Sequence, residues 1–163
     1  MSGIAAQVAE RFSAARTDSG MLTAALFVEE TAALAYAAAA EGPLTGDERD
    51  LALRFAGHER EHARVFETIL FALTVPVREH AAEPDLRVLV PGLRRAGREE
   101  ALARLAELEG AAIAGHQMLG RRLRALDALR SVATVMAGGA QHLVVLRRAL
   151  GDEPVTRTLE SGR

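Results

Sequence analysis

Apolar residues recur at spacings of three and four along most of the chain, with Ala, Leu, Glu and Arg dominating. That is the period of amphipathic helices rather than strands. Turn-forming residues interrupt it at Asp18-Ser19-Gly20, at Gly42-Pro43-Leu44-Thr45-Gly46, within 74–97 and at Ala125-Leu126-Asp127. The pattern predicts a short helix near 3–16 and four long helices at about 19–41, 46–74, 97–124 and 127–150. Thr45-Gly46-Asp47-Glu48 has the form of a capping box opening the second long helix. Asp127 suits the N-cap of the fourth, and Gly151 suits its C-terminal stop. β-Branched residues concentrate only in 75–90, among Pro76, Pro84 and Pro91, so this stretch reads as a connection rather than a strand.

Loop lengths then dictate topology. The first and second long helices are joined by about four residues, as are the third and fourth, which makes each pair antiparallel neighbours. The middle connection exceeds 20 residues. At roughly 3.3 Å per extended residue it can run the length of a helix of about 43 Å. The expected fold is all-α, a four-helix bundle with one long crossover between the second and third long helices. Residues 1–18 read as an N-terminal helical extension, 19–150 as the bundle and 151–163 as a flexible C-terminal tail.

Composition narrows the function. The 163 residues are 49% apolar and 26% charged, enough for a core and against wholesale disorder. The absence of Cys excludes a disulfide scaffold, a thiolate metal site and a Cys nucleophile. All 20 basic residues are Arg, which excludes Schiff-base chemistry and an ordinary P-loop. A net charge of −2 gives no basic footprint for nucleic acid. No targeting segment and no unbroken apolar run of about 18 residues is read, so the expected location is cytoplasmic with no membrane partner.

An internal repeat points to chemistry. Glu29 and Glu109 stand 80 residues apart, as do Tyr36 and His116, and His62 and His142. At about 100° per residue, Glu29 shares its face with Leu22, Ala25, Leu26, Ala32 and Tyr36. Glu59 and His62, one turn apart, share theirs with Phe55, Ala63 and Phe66. Glu109 and His142 lie on equally apolar faces, while Glu61, Glu107 and Glu30 turn off them. Three carboxylates and two imidazoles thus point inward from four helices. Unpaired, each ionised carboxylate costs several kcal/mol. Bound cations remove that cost, and oxygen and imidazole donors without thiolate suit iron or manganese.

The stretch Ala25-Leu26-Phe27-Val28-Glu29-Glu30-Thr31-Ala32-Ala33-Leu34-Ala35-Tyr36, followed by His58-Glu59-Arg60-Glu61-His62-Ala63, resembles the ferritin-like superfamily. Within it, the similarity is to small bacterial proteins related to rubrerythrin and bacterioferritin. The resemblance covers about 20–150 and implies a ferritin-like bundle holding two metal ions on two single glutamates and two Glu-x-x-His motifs. It implies Glu29, Glu59, His62, Glu109 and His142 as metal ligands; beside them Tyr36 reads as a core residue or an outer partner of a ligand rather than a redox-active group, and His116 as a buried polar partner able to hydrogen-bond a ligand carboxylate. The fourth helix departs from the pattern. Its motif reads Gly139-Ala140-Gln141-His142, so Gly139 marks a vacated ligand position, open to an exogenous ligand or simply a close helix contact. The resemblance implies two iron ions, or one if the site is degenerate, with manganese as the other metal, and oxidoreductase chemistry on oxygen or peroxide. A small oxidant or small-molecule substrate and a homodimer are the expected partners. The other reading is a non-catalytic bundle acting as a binding or assembly module, dimerising through an Ala-rich face. The run Ala37–Ala40 marks a close contact within the chain or across such a dimer, and His58 and His80 read as ordinary, partly exposed residues.

Overall fold

The computed structural model describes residues 3–152. Helix α1 spans Ile4–Ala14, α2 Asp18–Glu41, α3 Gly46–Ala72, α4 Glu83–Leu89, α5 Arg98–Gly120 and α6 Leu126–Ala149, with a 3-10 turn at Leu93–Arg95. There is no strand among the described residues. The C-terminal tail expected to be flexible lies, from residue 153, outside them.

Several boundaries differ from expectation for local reasons. The third long helix stops at Gly120 rather than near 124. Thr45 occupies the N-cap of α3 but its side chain makes no capping bond, and Glu48, the reciprocal partner of a capping box, is turned outward to Arg98, its Oε2 2.8 Å from Nε. Ala125, not Asp127, caps α6, and Asp127 pairs one turn on with Arg130. Within 74–97 the sequence reading missed α4. Pro84 sits in its first turn, where no backbone N–H is needed, and Asp85 accepts the N–H of Ala82 at 2.9 Å. Gly151, at φ +80°, ends α6 in the left-handed conformation that favours glycine.

Helix α2 is the hub. It packs against α3, α5, α4 and α1, while α6 packs on α5 and touches α3. A helix touched on so many sides must be apolar nearly all round, and α2 is: Leu22, Ala25, Leu26, Val28, Ala35 and Ala39 are fully buried. Ala38–Ala40 are covered within the chain itself. Helices α2 and α6 are each long and apolar enough to cross a membrane by length and composition, although Glu29 and Glu30 interrupt the apolar run of α2. Core helices pass that test too, and most of the α2 window is buried in protein, against a third for α6.

Two attachments frame the interior. Helix α1 lies on α5, its N-terminal end tied by Ala5 N–H to Glu107 Oε1 (3.2 Å) and its C-terminal end by Arg122 to the carbonyls of Ala15 and Arg16 (3.2 and 2.8 Å). Phe12, fully buried, fills the space left by Gly115, where a Cβ would lie 2.2 Å from its ring. The connection after α3 is pinned to α2 by Glu30, whose carboxylate accepts Ala81 N–H (2.7 Å) and meets His80 Nδ1 (2.5 Å).

Candidate metal centre

The long helices carry their inward polar groups to one place. Glu29 (α2), Glu59 (α3), Glu109 (α5) and His142 (α6) are all 2–3% exposed, and His62 (α3) is half-buried. His62 Nδ1 lies 3.1 Å from Glu29 Oε2 and 3.0 Å from Glu59 Oε2. His142 Nδ1 lies 2.6 Å from Glu59 Oε1 and 3.0 Å from Glu109 Oε1. Each imidazole thus faces two carboxylate oxygens, and Glu59 gives one oxygen to each group.

This arrangement is frustrated without a cation. A ring nitrogen carries one N–H and cannot satisfy two acceptors. His142 Nδ1 is aligned to hydrogen-bond Glu109, and Glu59 Oε1 is left buried with no hydrogen-bond partner. Donor atoms roughly 2.1 Å from one ion and at right angles lie roughly 3 Å apart, which is the spacing seen. Glu29, Glu59 and His62 form one group able to hold a metal ion, and Glu59, Glu109 and His142 form a second. The residues present therefore fit bound metal, with Glu59 common to both groups.

Neighbours hold these groups. Tyr36 O–H donates to Glu109 Oε1 at 2.5 Å. His116, 1% exposed, sets Nε2 3.1 Å from Glu29 Oε1 without hydrogen-bond alignment, its ring between Phe66 and the edge of Phe12. Both outer partners expected from the sequence are thus beside the carboxylates. Phe55 stacks on His142 at 3.9 Å between ring centroids.

The protons follow the geometry. Burial would depress His62 and His142, but the hydrogen bonds and charges of their carboxylates raise them to about 10 and about 9. Burial and the Glu59 charge push Glu109 up to about 7. Burial and Glu29 also raise Glu59. Burial works to raise Glu29 as well, but hydrogen bonding to Glu59 and the imidazoles of His116 and His62 outweigh it and hold Glu29 below the usual carboxylate range. Tyr36 is raised well above its ordinary value by burial and the Glu109 charge.

The glycine pair of α6 serves close approach. A Cβ at Gly138 would lie 2.6 Å from His62 Nε2. One at Gly139 would lie 3.1 Å from Glu109 Oε2 and 3.5 Å from Ile113 Cγ1. The space expected to be vacant at Gly139 is bordered by Glu109's own second oxygen. Sequence reasoning also missed two features. His58, read as an ordinary, partly exposed residue, is exposed but also places Nδ1 3.0 Å from His142 Nε2. It stands four residues before His62, a spacing that puts the two on one flank of α3. Glu30, Glu67 and His80 form a third, more exposed group. His80 comes from the connection, whose course no periodicity reveals.

A family model for the ferritin-like domain matches residues 15–152. Neither a curated protein nor a solved structure matches the chain. The matched span begins just after α1 and takes in every residue of the interior cluster, and with it the chain belongs to the ferritin-like domain family.

Proposed function

We propose that this protein is a ferritin-like four-helix bundle, with 73–97 as its long crossover, that holds two divalent ions and carries out oxidoreductase chemistry. Glu29, Glu59 and His62 hold one ion, and Glu59, Glu109 and His142 the other, with iron favoured by the donor set and manganese next. The observation carrying this reading is the Glu59 carboxylate, with one oxygen 3.0 Å from His62 Nδ1 and the other 2.6 Å from His142 Nδ1. Paired iron ions supply the capacity to reduce dioxygen or peroxide. The chain's own part is to fix geometry and exclude water: Tyr36 steadies Glu109, His116 flanks Glu29, and apolar helix faces close around them. His62 is the least buried of the five groups, so its side of the cluster lies nearest to solvent. The cytoplasm is the proposed setting. The proposed homodimer is checked by its mass in solution, and it needs a face other than Ala38–Ala40.

Elemental analysis of anaerobically purified protein tests this. About two metals per chain are expected, and Glu59→Ala reduces them to near zero because both ions share that residue. A metal content near zero in the unsubstituted protein overturns the reading. It favours instead a binding or assembly module whose carboxylates are neutralised by His62 and His142, a reading supported by glycine standing where a fourth carboxylate would be.

A further inference from the structure

We propose that His58 is a positioning residue for the ion held by Glu59, Glu109 and His142: its Nδ1 accepts the Nε2–H of His142 and keeps the opposite nitrogen turned to the carboxylates. The inference rests on the metal-binding reading above and adds to it a residue outside the ligand set. An imidazole that gives Nδ1 to an ion keeps its one ring proton on Nε2, and a partner for that proton fixes the ring's rotation. His58 Nδ1 stands 3.0 Å from His142 Nε2, with the two ring planes 17° apart and 5.3 Å between centroids. Phe55 stacks on His142 3.9 Å away and holds the ring's tilt, while His58 holds its rotation. Because His58 directly precedes Glu59 on α3, one helical segment sets both the shared carboxylate and the ring facing it.

The two metal-facing imidazoles are held differently. The far edge of His62 ends against the α6 backbone at Gly138. His142 instead ends on a side chain. Loss of His58 therefore acts on one ion and spares the other. A merely stacked surface histidine would do neither.

Zinc titration of the full chain by calorimetry, with 15N-labelled histidine for NMR, tests this. In the zinc-loaded protein a coupling across the hydrogen bond is expected between His142 Nε2 and His58 Nδ1. His58→Phe keeps a ring at the position but offers no acceptor. It should weaken one zinc-binding step by roughly tenfold or more and leave the other unchanged. His58→Gln, whose amide oxygen can accept the proton, should recover most of the loss. Two zinc steps that ignore both substitutions, or a His142 bound through Nε2, overturn the proposal and leave the metal centre standing. An unsubstituted chain that takes up no zinc overturns both.

Discussion

A single ring proton facing two carboxylate oxygens recurs at His62 and at His142, and it makes each partner's supports consequential. Glu109 shows this best, since Tyr36 O–H and His142 both bond its Oε1. Hydrogen bonds to charged groups contribute about 1.5–3 kcal/mol. Tyr36→Phe is therefore expected to lower the stability of the metal-free protein by about 1–3 kcal/mol, read from the urea midpoint, with helix content unchanged. At this scale much was legible in the sequence. Glu29, Glu59, Glu109 and His142 betrayed themselves as charged or polar residues on otherwise apolar faces. His58 did not, because a helical wheel places it off the buried face of α3, and only the approach of α6 brings a nitrogen to it. The glycine pair was legible as an anomaly but not as a shape, since its meaning depends on which side chains lean over it.

Helices were legible where their faces are large. Period and turn residues gave the four long helices to within a few residues, but not the caps, where Glu48 prefers Arg98 to its own helix end. Helix α4 escaped because seven residues show no repeat. Helix α1 was foreseen, but not its seat on α5, which depends on Gly115. Gly115→Ala places a Cβ 2.2 Å from the Phe12 ring, too close for any rotamer adjustment to be free. Overpacking of this kind typically costs 1–3 kcal/mol. The expected result is a loss of about that size in urea unfolding, with amide hydrogen exchange rising first in α1. Unchanged exchange in α1 would mean that Phe12 finds another seat. An isolated helix of 11 residues is marginal in water, so α1 owes its order to this seat.

For the whole molecule, the interior couples folding to protons and to ions. His62 and His142 are raised from 6.5 to about 10 and about 9, so their contribution to stability is complete below pH 6.5 and is lost as pH rises through those values. Glu109 is raised from 4.5 to about 7, so rising pH across that window also favours the unfolded chain. Glu29 is lowered, so its contribution is present above 4.5 and disappears on acidification. Metal-free protein is therefore expected to be most stable near pH ~4.5 and to weaken steadily toward pH 10, measured as the urea midpoint at each pH. Cations compete with these protons, so the rise in melting temperature on adding zinc should grow between about pH 6 and 8. At a hundredfold excess over the dissociation constant, that rise corresponds to about 2.7 kcal/mol. A zinc effect independent of pH would mean that the ion sits away from the two imidazoles.

The seat of Phe12 carries one more implication. Its ring edge rests on His116, whose nitrogen lies beside Glu29, so three residues run in unbroken touch from the amino-terminal segment to the centre of the molecule. Deleting α1 would leave every inward carboxylate in the chain and still remove the wall behind one of them.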